Sequence, residues 1–207
     1  MQKGRQVHEA KSVVTKLRGK VIFFATGNVH KFDEARVVMA KNGLASGMLR
    51  MKGVEIQSDS LREIAGASAL GAYKRTHMPI IVEDAGLFVD SLKDFPGPYA
   101  AFVYKTIGNK GLLKLMQDVK NRVATFRSVI AFCGGESAEV SFFDGEAKGK
   151  ITQTQRTGSR SAFGFDPIFQ PEGSDKTFAE MSIEEKNEFS HRAKAVGKFA
   201  EWYRPSS

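Results

Sequence analysis

Apolar and polar positions divide the chain into short strands and amphipathic helices. Phe23, Phe24 and Ala25 end an apolar strand that stops on Thr26-Gly27-Asn28. Beyond it Phe32, Ala35, Val38 and Met39 recur at helical spacing among His30, Lys31, Asp33, Glu34 and Arg36. This predicts an amphipathic helix closed by Gly43, a favoured residue just past a helix end. Residues 53–57 (GVEIQ) read as a second strand. Ser60 followed by Glu63 predicts a capping box for a helix from residue 61 to about residue 75. Residues 79–92 (PIIVEDAGLFVDSL) read as two strands broken near Ala85 and Gly86. A proline-punctuated loop (DFPGPYAAF, 94–102) enters a helix, and residues 108–119 form another helical stretch. Residues 124–134 and 138–151 alternate as antiparallel strands do. After a Gly/Ser/Arg-rich loop at 156–164, the chain ends in a helical segment over 183–203, with Ser182 and Glu185 as a capping box. Phe189, Ala193, Val196, Ala200 and Tyr203 give its buried stripe. Ser190 is placed to cap a second, longer helix with His191 and Arg192 in its first turn. Strands and helices in this order imply a mixed-sheet α/β fold rather than a purely parallel one.

Composition narrows the class. A chain of 207 residues, 42% hydrophobic and 26% charged, is an ordinary globular sequence, long enough to bury a core as one domain or two lobes. No apolar run approaches the ~18 residues of a membrane span. Cys133 stands alone, which excludes an intrachain disulfide and fits a reducing cytoplasm. The net charge of +8 suggests nucleic acid until it is located. Lys3, Arg5, Lys11, Lys16, Arg18 and Lys20 face Glu9 alone, so residues 1–20 hold +5 of it. The domain is expected over 20–207, behind a basic extension at 1–19. That extension is a short helix, a weak nucleic-acid or anion contact, or frayed residues; the usual disorder of termini favours the last.

The candidate chemistry sits where the pattern breaks. A strand, a Gly turn and a helix N-terminus offer backbone N–H groups and a positive dipole end that suit phosphate, with Lys31 adding a point charge. The same residues also fit an ordinary βα turn with Asn28 as helix cap. Glu83 and Asp84 end an apolar run, and Glu55 lies between Val54 and Ile56, where an acid belongs only if it faces water or metal. Magnesium takes one or two carboxylates plus phosphate oxygens, a requirement that Glu55 and Asp84 together meet. Phe163, Phe165 and Phe169 are core residues by default, although a ring beside Gly164 can stack on a base. Lys186, His191 and Arg192 read equally as a solvated helix flank. No Walker loop and no GxGxxG appear, and one cysteine with scattered histidines speaks against zinc.

Together the segments TGNVHK (26–31), VEIQ (54–57), PIIVEDAGL (79–87), FPGPY (95–99), FGFDPIF (163–169) and EEKNEFSHR (184–192) resemble the inosine triphosphate pyrophosphatase family, in its archaeal branch. The resemblance spans residue 21 to about residue 203. It implies an elongated, two-lobed single domain with a twisted central sheet, flanking helices and a cleft, usually as a homodimer. The implied reaction is Mg²⁺-dependent hydrolysis of ITP, dITP or XTP to the monophosphate and pyrophosphate. Carried onto this chain, Thr26, Gly27, Asn28, Val29, His30 and Lys31 would hold the triphosphate, with Ala85 near it. Glu55, Asp84 and adjoining Glu83 would hold the metal, with Asp84 also the base. Phe163, Gly164, Phe165, Asp166, Lys186, His191 and Arg192 would enclose base and sugar. Three departures stand out: Ala85 replaces a Ser or Thr common in relatives, residues 65–72 contain no lysine, and Ala100, Ala101 and Phe102 stand where a basic residue often follows the proline loop. Lys74 and Lys105 are the candidates to compensate. The alternatives are a pyrophosphatase for another modified base and, from a different class, a nucleic-acid-binding module using the basic extension.

Overall fold

The computed structural model describes residues 21–51, 53, 56–135, 139–158 and 163–203. The basic extension and Glu55 lie outside them. Seven strands form one mixed sheet: β1 (Val21–Ala25), β2 (Ala45–Leu49), β3 (Ile80–Val89), β4 (Pro96–Gly97), β5 (Val123–Cys133), β6 (Ser141–Ile151) and β7 (Phe169–Pro171). Their order is β2-β1-β3-β5-β6-β7, with β4 paired to β3. β1 is parallel to β2 and β3, whereas β3, β5, β6 and β7 run antiparallel in succession. The parallel pairs need crossovers, supplied by helices α1 (Val29–Lys41) and α2 (Leu61–Thr76). Helices α3 (Ala100–Thr106) and α4 (Gly108–Leu115) follow β4, and α5 (Ile183–Phe189) and α6 (His191–Tyr203) end the described chain.

Strand alternation sorts side chains onto two faces. Ile81 of β3 packs with Ile22, Phe24, Ala35, Met39, Val196 and Phe199 under α1 and α6. Its neighbours Ile80 and Val82 pack with Leu61, Ala65, Ala69 and Val129 under α2. A third apolar cluster, with Leu87, Val103, Leu112, Phe126, Phe169 and Phe178, surrounds the far half of β3 and β5.

Two expectations about strands need correction. β3 is continuous through Ala85 and Gly86 and pairs with β5 along its whole length. Gly86 marks a close approach instead: a Cβ there would lie 2.4 Å from Gly97 O of β4. The second strand in sequence is β2, not 53–57; Gly53, Ile56 and Gln57 lie outside any strand. The C-terminal helical segment divides at Ser190, whose Oγ accepts from Ala193 N at 3.1 Å. This places His191 and Arg192 at the start of α6. Gly145 of β6 lets α6 press onto the sheet, since a Cβ there would meet His191 O at 2.1 Å.

Candidate active site

The turn after β1 is both capped and open. Asn28 N donates to Thr26 Oγ1 at 3.1 Å, and Asn28 Oδ1 accepts from Lys31 N at 3.2 Å. These two short side chains fix the turn and cap α1, a cap of about 1 kcal/mol. The first-turn N–H groups of Val29 and His30 remain without intrahelical acceptors, as at any helix start. Gly27 is exposed, and a Cβ there would meet nothing within 4 Å, so the turn faces open space. Thr26, Gly27, Asn28 and Lys31 line a cavity of about 600 Å³, together with Glu83, Asp84, Ala85, Phe163, Gly164, Phe165, Asp166, His191 and Arg192. Val29 and His30 are not part of that lining. Val29 is exposed, whereas the His30 ring stacks on Phe163 at a centroid distance of 5.5 Å.

A largely buried network of three carboxylates and three cations forms part of the cavity wall and continues behind it. Arg192 Nε donates to Glu83 Oε1 at 3.0 Å, and its Nη1 donates to Glu34 Oε2. Lys186 Nζ donates to Glu34 Oε1 at 2.8 Å and to Asp166 Oδ2 at 2.6 Å. Lys31 Nζ lies 2.8 Å from Glu83 Oε2, and Ser128 Oγ donates to Glu83 Oε1 at 2.8 Å. Burial alone would raise the Glu34 carboxyl, but Arg192 and Lys186 outweigh it and hold it at about 2. Glu83 is likewise raised by burial and overturned by Arg192 and Lys31, ending well below the usual carboxylate range. Asp166 goes the other way. Burial raises it, Lys186 opposes this only in part, and the adjacent Glu34 charge adds to the rise. Burial lowers Arg192, yet Glu83 and Glu34 reverse that and fix its charge. His191 is driven well below 6.5 by burial and by the Arg192 charge, so its imidazole is neutral at neutral pH. Its ring stacks on Phe126 at 4.7 Å, and among the described residues its Nδ1 has no hydrogen-bond partner.

The aromatic loop is held from the other side. Phe165 is buried and meets Tyr104 of α3 edge-on at 5.6 Å. Asn109 of α4, itself buried, donates to Gly164 O at 3.2 Å. Gly164 has φ +55°, the left-handed region that favours glycine.

This geometry revises the expected roles. Lys186 is fully buried between Glu34 and Asp166, is not among the residues lining the cavity, and braces Asp166. Glu83 has both oxygens committed to Arg192, Ser128 and Lys31, which leaves it unsuited to a metal. Asp84 is half-buried and lines the cavity, and a single carboxylate fits magnesium when phosphate and water complete its shell. Among the described residues no group of three His, Cys, Asp or Glu forms a ready-made metal cage. Glu34 was absent from the expected site, although it falls three residues after Lys31 and beside Ala35 on the buried side of α1. Ser128, Tyr104 and Asn109 carried no local signal.

The chain has close similarities among known proteins. A dITP/XTP pyrophosphatase of Methanopyrus kandleri is 46% identical over 183 residues, covering 88% of this chain and 96% of that protein. One from Hyperthermus butylicus is 47% identical over 188 residues, covering 91% and 97%. A solved HAM1 protein from Coxiella burnetii shares the fold with a TM-score of 0.75 at 26% identity, over 88% of this chain and 97% of that one. The Staphylococcus aureus Ham1 protein gives 0.71 at 26% identity, over 87% and 97%. The profile of the Ham1 family matches residues 22–202. With relatives this similar over nearly their whole length, the chain belongs to the Ham1 family.

Proposed function

We propose that this protein hydrolyses non-canonical purine nucleoside triphosphates (ITP, dITP and XTP) to the monophosphate and pyrophosphate. The observation that carries the reading is one cavity of about 600 Å³, a size suited to one small ligand. It is lined at once by an open helix N-terminus with Lys31, by the Asp84 carboxylate, and by an aromatic loop beside His191 and Arg192. The names of the relatives supply the substrate class.

Each group has a physical task. The N–H groups at the start of α1 and the Lys31 ammonium bind phosphate oxygens. Asp84 takes the proton of the attacking water, or orients it. Phe163 stacks on the base. Arg192 recognises the six-position: its Nε and Nη1 are held by Glu83 and Glu34, which leaves Nη2 to donate to a purine keto oxygen. Adenine presents an amino donor there, and a donor facing a donor leaves both unsatisfied. Asp84 would hold Mg²⁺, with Glu55, outside the described residues, as the second candidate carboxylate; the ion would supply charge neutralisation at the phosphates when bound. The protein acts as a homodimer in the cytoplasm; the lone, buried Cys133 is consistent with a reducing compartment. No described helix is long and apolar enough to cross a membrane.

Product identification tests the reading. ITP incubated with Mg²⁺ should give IMP and pyrophosphate in equal amounts, and EDTA should abolish turnover. Release of IDP and orthophosphate would contradict it.

A further inference from the structure

Among the described residues three cationic side chains line the cavity: Lys31, Lys105 and Arg192. Three carboxylates line it too: Glu83, Asp84 and Asp166. A lining without net charge is a poor receptor for a polyanion, so which cations are already neutralised matters. Lys31 lies 2.8 Å from Glu83, and Arg192 is clasped by Glu34 and Glu83. The Lys105 side chain makes no hydrogen bond or ion pair among the described residues, and it is exposed. Among the described lining residues it is therefore the cation with no carboxylate partner.

Its place on α3 gives it reach. Side chains on a helix tilt toward the helix N-terminus, and residues four apart share a face. Lys105 thus sweeps back over Ala101, which lines the same cavity with Ala100 and Pro98. These small side chains leave space in which an ammonium and a phosphate can meet. Lys74, the other candidate in the sequence, does not line the cavity.

We propose that Lys105 is a substrate-binding residue, its ammonium bonding the phosphate tail of the nucleotide. This rests on the triphosphate reading above. In Lys105→Met the KM for ITP should rise about tenfold, the scale of one charge-assisted hydrogen bond, with kcat within about threefold. The inhibition constant of inorganic tripolyphosphate should rise in parallel, while that of inosine stays unchanged. Lys105→Arg should restore both, and Lys74→Met should alter neither. Because residue 105 is exposed, the variants should unfold at the wild-type temperature. An unchanged KM and tripolyphosphate constant overturn the proposal, as does an equal loss for inosine. Calorimetric titration of tripolyphosphate into wild type and Lys105→Met needs no turnover. It reports on Lys105 even if wild type does not cleave ITP, in which case the activity reading alone fails.

Discussion

Replacing Glu34 by Gln probes the buried network directly. Gln keeps the size of the side chain and can still accept one hydrogen bond, but it removes the charge that faces both Lys186 and Arg192. Those cations would then share only Asp166 and Glu83. The Glu34 carboxyl is held at about 2 against an ordinary 4.5, which corresponds to about 3 kcal/mol favouring its charged form in the folded protein. Breaking a buried ion pair from one side costs a similar ~3–5 kcal/mol. Urea unfolding at pH 7 should therefore show a loss of about 3 kcal/mol. With a slope of ~2 kcal/mol/M, that moves the midpoint down by about 1.5 M at unchanged slope. The pH dependence has a definite sign. A depressed carboxylate contributes stability that is fully present above about 4.5 and is lost as pH falls through about 2. The gap between wild type and Glu34→Gln should therefore close across that window. Asp166, whose carboxyl is raised in part by Glu34 itself, works the other way, and Gln at 34 relieves that part of the rise and offsets some of the loss at pH 7. A loss below about 1 kcal/mol at pH 7, or a gap that persists at pH 2, would refute the claim that Glu34 balances the two cations.

The other predictions concern the reaction. Asp84→Asn keeps shape but removes basicity, so kcat for ITP should fall at least ~10²-fold while binding persists through Lys31 and the turn; near-normal kcat removes Asp84 from the mechanism. Arg192→Ala should lower kcat/KM for ITP far more than for ATP, whereas an unchanged ratio would assign base recognition to the Phe163–Asp166 loop. A chain beginning at Lys20 should keep kcat/KM within about threefold, because the basic extension precedes every group placed in the site. Large losses of activity or solubility would show that it packs on the domain.

Local patterns made much of the frame legible. Asn28 and Gly43 mark the ends of α1, Ser182 and Glu185 form their reciprocal box, and Ser190 starts α6. The box at Ser60 is only half formed: its Oγ accepts from Glu63 N, but the Glu63 carboxylate turns to Ser58 Oγ at 2.7 Å. Other features depend on neighbours distant in sequence. Gly86 read as a strand break because a glycine weakens a strand locally, whereas its reason is the backbone of Gly97. β2 (ASGML) is a weak strand pattern at the sheet edge, ordered by parallel pairing with β1. Glu34 and Lys186 looked solvated because each sits in a charged helical stretch, and their partners lie 152 residues apart in the chain. No periodicity encodes such a pair. Most residues carried over from the family resemblance line one cavity, whereas the fold pairs Lys186 with Glu34 and Asp166, and Glu83 with Lys31 and Arg192.

The most direct test is the kcat/KM of the unmodified protein for ITP and XTP against ATP, measured side by side in Mg²⁺. A guanidinium held by two buried carboxylates should donate to a six-keto oxygen and disfavour a six-amino group. ITP and XTP should therefore exceed ATP by at least about 10²-fold, the range open to a site built around one hydrogen bond. Comparable values for all three would contradict the account.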